Sequence, residues 1–166
     1  NDQKFAQCKS LYLYMMTHPG KKLNFMGNEL AEYKEWDEKK ALGWVLLKFP
    51  QHDSFHRYFH DLNHLILKHP ALYQYDYYPE GFEWLVVDDM KQSVFAYARY
   101  APDGEVLVCV MNFVGNTHHG YRIPVPVAGT YKEIINTDTD YYTGSNLTNK
   151  RAIKSQKIHA VNKENS

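Results

Sequence analysis

Hydrophobic periodicity changes once along this chain, at a tyrosine-rich connector, and that change limits what the chain can fold into. Before residue 80 apolar residues recur at spacings of three and four, the period of a helix face. After it they alternate in short runs, the period of half-buried strands. The connector, Tyr73-Gln74-Tyr75-Asp76-Tyr77-Tyr78-Pro79-Glu80-Gly81, supplies turn residues and no consistent period. The chain therefore reads as α+β, with its domain boundary near residue 80: residues 1–79 form one part and residues 80–166 the other.

In the first part, Phe5, Cys8, Leu11, Tyr12, Met15 and Met16 define an apolar stripe on a helix over residues 3–17. Pro19-Gly20 ends it, because proline disfavours helix in the residue before it. Leu23-Asn24-Phe25-Met26 is short enough for a buried strand, bounded by that turn and by Gly27. A helix followed by a short apolar strand is half of a βαβ repeat. Glu29 then lies just past the carboxyl end of the strand, where α/β barrels keep their substrate sites. Residues 30–50 are irregular; Asp37 could cap a short helix through Leu47, with Gly43 weakening it. The clearest helix spans residues 53–68, with Asp53 as N-cap and Phe55, Tyr58, Phe59, Leu62, Leu65 and Ile66 facing inward.

His52, His56, His60 and His64 recur every four residues on that helix. At 100° per residue they drift from the edge of the apolar stripe to the solvent side, and no cysteine joins them. A solvated histidine face is the expectation, with no metal site and no cofactor. Residues 82–87, 94–100, 106–113, 120–124 and 131–136 read as strands of an all-β antiparallel sandwich, with Pro102-Asp103-Gly104 as a hairpin turn and residues 153–161 as one more strand.

Composition closes several function classes. Lys+Arg and Asp+Glu both count 19, so no global field recruits nucleic acid or an anionic membrane. No apolar run nears the roughly 20 residues that span a bilayer, and the start of the chain lacks a signal-peptide pattern. Cys8 and Cys109 lie far apart in apolar segments and read as buried free thiols suited to a reducing cytoplasm. The missing initiator methionine hints at an excised piece of something longer. Aromatic residues make up 15% of the chain, with 14 tyrosines, a usage that suits packing before it suits sugar faces.

The run Lys21-Lys22-Leu23-Asn24-Phe25-Met26-Gly27-Asn28-Glu29, followed by Glu35-Trp36, resembles the eighth barrel strand and its loop in 1,4-α-glucan (glycogen) branching enzymes of the α-amylase-like group. Residues 57–72 and Pro79-Glu80-Gly81-Phe82-Glu83-Trp84 follow the same pattern, although Asn24 stands where that family usually has an apolar residue. The resemblance implies the last helix-strand-helix of a (β/α)8 barrel followed by the C-terminal β domain, whose usual last strand this chain stops before. It further implies a parent enzyme that cleaves α-1,4-glucan and transfers the chain to a sugar 6-hydroxyl. The catalytic carboxylates of the group fall on earlier strands, so none maps onto a residue here and the chain alone is expected to be inactive. Its expected partner is an α-glucan such as glycogen or amylose, with self-association through surfaces that expect partners. Gly27-Asn28-Glu29 would sit at the rim of the site, and the substrate-binding candidates are Glu29 and Trp36. The alternative is a non-catalytic carbohydrate-binding module, using Trp84, Tyr97, Tyr100 and Tyr121, or a structural cap.

Overall fold

A computed structural model of the chain describes residues 2–157. Helix α1 spans Asp2–Thr17 and helix α2 spans Pro50–Lys68. Strands β1 (Phe82–Asp89), β2 (Val94–Tyr100) and β3 (Val106–Asn112) form an antiparallel meander in the order β1-β2-β3. A separate antiparallel pair joins β4 (Thr130–Tyr131) to β5 (Ile153–Lys154).

The two helices bury their stripes chiefly against each other. Phe5 meets Phe55 with ring centroids 6.2 Å apart, and Tyr12 meets Phe55 and Phe59 edge-on at 5.8 and 5.0 Å. Farther along, Met16, Tyr58 and Leu62 form a second cluster that Tyr142 closes from the β region. Leu11 departs from the expected stripe and is 57% exposed. Six residues on from Phe5, it is turned about 240° around the axis, on the edge away from α2. The start of α2 also differs from expectation: Pro50 occupies the first turn and Phe49 the N-cap position, with no side-chain cap. Proline needs no hydrogen-bond acceptor there, and its fixed φ already suits the helix. Asp53 lies inside the helix and pairs instead with Arg57 at 3.0 Å.

The opposite side of α1 packs on the sheet. Thr17 Oγ1 and Tyr97 Oη lie 2.6 Å apart, while the Tyr14 ring meets Tyr97 and Phe113 at 6.1 and 6.3 Å. Tyr97, Arg99, Ala96 and Ala98 are all fully buried, so β2 is covered on both faces. The β2–β3 turn forms as its sequence predicts: Ala101 N–H donates to Glu105 O, Gly104 N–H to Ala101 O, and Gly104 has φ 92°. That positive φ is why glycine stands there.

Several expected strands do not form. Residues 23–26 make no sheet, because no neighbouring strand offers them hydrogen bonds; Leu23, Phe25 and Met26 are exposed rather than buried. Asp37 caps no helix; its carboxylate accepts from Lys39 N–H and pairs with Lys40 at 2.7 Å, and the following segment is a 3-10 turn at Trp44–Lys48. Residues 120–124 are irregular and the strand expected over 131–136 shrinks to β4. Pro124 and Pro126 cannot donate to a ladder, and Glu133 and Asp138 spend their carboxylates on loop amides at Asn149 and at Ser145 and Leu147. The second layer of a sandwich is thus represented, among the described residues, by β4 and β5 alone. The expected strand over 153–161 begins as β5, and its last residues lie outside the described part.

Candidate functional site

The segment between α1 and α2 carries both substrate-binding candidates. It leaves α1 at Pro19-Gly20, has no regular secondary structure over residues 21–25, and turns at residues 26–27, where Gly27 has a φ of 81°. A 3-10 turn follows at Asn28–Leu30. Leu30 is fully buried, and its carbonyl oxygen lies 2.7 Å from Nδ1 of His52 on α2. The His52 ring in turn stands edge-on to Phe5 at 5.0 Å and to Tyr33 at 5.5 Å. His52, first in the histidine series, is therefore a buried anchor of this segment.

Glu32 closes the segment on itself. Its carboxylate accepts from Gly43 N–H at 3.3 Å and crowds the α-carbons of both Gly27 and Gly43. A Cβ at Gly43 would lie 2.9 Å from Glu32 Oε1, so a side chain there would displace the Glu32 carboxylate, whereas Gly27 is favoured by its positive φ.

Glu29 occupies the 3-10 turn, partly exposed, and its Oε2 accepts from Asn24 Nδ2 at 2.9 Å. Trp36 is 45% exposed and meets the Phe25 ring edge-on, with centroids 5.3 Å apart. The two candidates thus contact adjacent residues of the chain, Glu29 through Asn24 and Trp36 through Phe25. Asn24 acts as the donor that holds Glu29. No periodicity or motif signals that pairing. Glu32 accepts from Gly43 rather than pairing with Glu29. Glu29 offers a carboxylate acceptor and Trp36 a partly exposed indole face.

The β-region aromatics that a binding module would use are otherwise engaged. Tyr97 is fully buried, Tyr100 donates to Glu83, and Tyr121 Oη donates to Asp89 Oδ2 at 2.7 Å. Trp84 keeps an exposed edge while packing on Phe82 and Tyr97. The two cysteines are free and half-buried rather than fully buried. Burial raises the Cys8 thiol and pushes the Cys109 thiol up to about 11, so neither is an activated nucleophile. No described group of three or more His, Cys, Asp or Glu side chains could hold a metal ion, and no described helix is long and apolar enough to cross a membrane.

An antiparallel all-β region that follows a helical pair and buries an arginine at its centre defines a carbohydrate-enzyme accessory domain only once its sequence is compared. Over residues 84–166, half of the chain, the sequence matches the α-amylase C-terminal all-beta domain, and the chain belongs to that family. It is accordingly part of an α-amylase-family protein.

Proposed function

We propose that the chain is the carboxy-terminal part of a cytoplasmic 1,4-α-glucan branching enzyme. Residues 1–79 are the last helix-strand-helix of its (β/α)8 barrel and residues 80–166 its all-β domain. The observation that carries this reading is the segment 23–26, which lies in no sheet yet places Leu23, Phe25 and Met26 in solvent, within the stretch that resembles a barrel strand. Burying such side chains is worth about 1.5–3 kcal/mol each, so the surface favours a neighbouring strand layer. The remaining barrel supplies that layer, together with the nucleophile and the acid/base.

The reaction is a retaining double displacement. One carboxylate attacks the anomeric carbon and takes the glucan chain covalently as the α-1,4 bond breaks, its leaving oxygen protonated by the second carboxyl group. That group then takes the proton of a 6-hydroxyl on another glucan, which in place of water displaces the enzyme carboxylate. This chain's own residues bind at the rim: Glu29, oriented by Asn24, accepts a sugar hydroxyl, and Trp36 covers a ring face. The structural-cap alternative draws on the hydrogen bonds by which Arg99 and Tyr97 hold the sheet to the end of α1.

The test is an amylose branching assay on the intact enzyme, reading new α-1,6 linkages, alongside glucan affinity electrophoresis of this chain alone. Glu29→Gln and Trp36→Ala should lower activity of the intact enzyme several-fold with the fold unchanged. Unaltered kinetics in both variants would remove the rim role. An intact enzyme that makes no α-1,6 linkages overturns the branching reading, and branching by the isolated chain overturns the placement of its carboxylates elsewhere.

A further inference from the structure

We propose that His60 and His64 form a surface chelate for a first-row divalent transition-metal ion such as Zn²⁺ or Cu²⁺, at the edge of the α2–Tyr142 contact. Their Nε2 atoms face each other at 3.1 Å, closer than their ring centroids at 4.4 Å, so both rings lean together at the Nε2 edge. With metal–nitrogen bonds of about 2.0–2.1 Å, two imidazole nitrogens on one ion stand about 2.9 Å apart at a right-angle bite and about 3.3 Å at the tetrahedral angle. The observed spacing lies between these values. The helix repeat brings residues four apart onto one face, and the pair needs no movement of the backbone.

Asp61 prepares the pair. His60 Nδ1–H donates to Asp61 Oδ1 at 3.1 Å, which leaves His60 Nε2 unprotonated, free to accept from His64 Nε2–H in the metal-free pair and to ligate an ion once that proton is gone. Asp61 Oδ2 accepts from Tyr142 Oη at 2.8 Å, so the carboxylate is held from the β region. A carboxylate on the far nitrogen of a ligating histidine fixes its tautomer and raises its basicity. The pair opens onto a depression of about 520 Å³ floored by Leu65, Ile134 and Ile135, where water or a small anionic donor completes the coordination. Lys68 lines the same depression and its charge opposes a cation. Imidazole donors select borderline metals, with Cu²⁺ the tightest in the divalent series.

The test is titration of the folded chain with one equivalent of Zn²⁺, read by the nitrogen chemical shifts of its histidine rings and by calorimetry. Two histidines should shift at Nε2, and His64 should change tautomer to release its Nε2 lone pair. His60→Ala and His64→Ala, both on an exposed face, should each abolish the one-to-one site. Asp61→Asn should weaken it by roughly tenfold, and Lys68→Gln should tighten it. His118→Ala should leave it intact. Zn²⁺ binding that survives loss of His60 or His64, or the absence of any shift at equimolar Zn²⁺, overturns the proposal. Neither result bears on glucan branching.

Discussion

Arg99 ties three distant stretches of the chain together. It is fully buried on β2, and its guanidinium donates to Gly81 O at 3.1 Å, Thr17 O at 2.6 Å and Asp76 Oδ1 at 2.5 Å. Lys22 approaches the same aspartate at 3.8 Å and also donates to His18 O. An arginine suits this position because its planar fork serves three acceptors at once, which a lysine cannot do. Asp76→Asn leaves a buried cation uncompensated and should cost about 3–5 kcal/mol in urea melts; a loss below about 1 kcal/mol would mean solvent already reaches the pair. Beside it, a Cβ on Gly81 would overlap the Tyr75 carbonyl oxygen and Cβ. Gly81→Ala should therefore lower the melting temperature, whereas alanine at the open Gly115 should not.

Among the elements, the β2–β3 hairpin has a second task besides reversing the chain. Its Glu105 carboxylate lies 2.6 Å from His69 Nδ1 and accepts from Ala71 N–H at 3.0 Å, just past the end of α2. Ala71 is fully buried, so Glu105→Ala strands its amide and should destabilise the chain by about 1–3 kcal/mol. Hydrogen exchange should show the last turn of α2 opening first; uniform loosening would argue against a local cap. The hairpin itself was legible, since Pro102-Asp103-Gly104 specifies its turn chemistry and alternation specifies both strands. The helices were legible through their stripes. The role of Glu105 was not, because its partners lie 34 and 36 residues away and no local pattern encodes them. The same limit hid the Asn24–Glu29 pair, while residues 23–26 form no sheet here because a short apolar run between turns does not say whether a neighbouring strand exists. Glu29 and Trp36 were placed on one loop by the sequence, but the contact that links them through residues 24 and 25 comes only from tertiary geometry.

For the whole molecule, two collective properties follow. Burial raises the proton affinity of Tyr58, Tyr97 and Cys109 in the folded state, and burial with the Asp61 contact raises that of Tyr142. A group that holds its proton more tightly when folded contributes stability that is whole below its unfolded pKa and is lost as pH rises toward the folded one. For Cys109 that window runs from the ordinary 9.0 to about 11. Lys9 and Lys22, lowered by burial, act in the opposite sense and offset part of the loss. Urea midpoints should therefore fall between about pH 9 and about pH 11, with a shallower slope in Cys109→Ala; a slope unchanged by that substitution would refute the burial of this thiol. The second property is adhesion: exposed Leu23, Phe25, Met26, Trp44, Val45 and Phe49 crowd the segment between the helices. Sedimentation should show concentration-dependent association of the isolated chain that Leu23→Lys with Met26→Lys reduces; association unchanged by both would place the contact elsewhere.

The three acceptors of Arg99 come from the end of α1, from the connector and from the threshold of β1, separated from it by 82, 23 and 18 residues. None of the three segments can leave without exposing the ion's unmet demand to the others. The change of periodicity at residue 80 therefore does not mark a seam along which the chain comes apart. Proteolytic nicking in the tyrosine connector should yield two halves that unfold together in one cooperative transition, and neither half should survive purification away from the other.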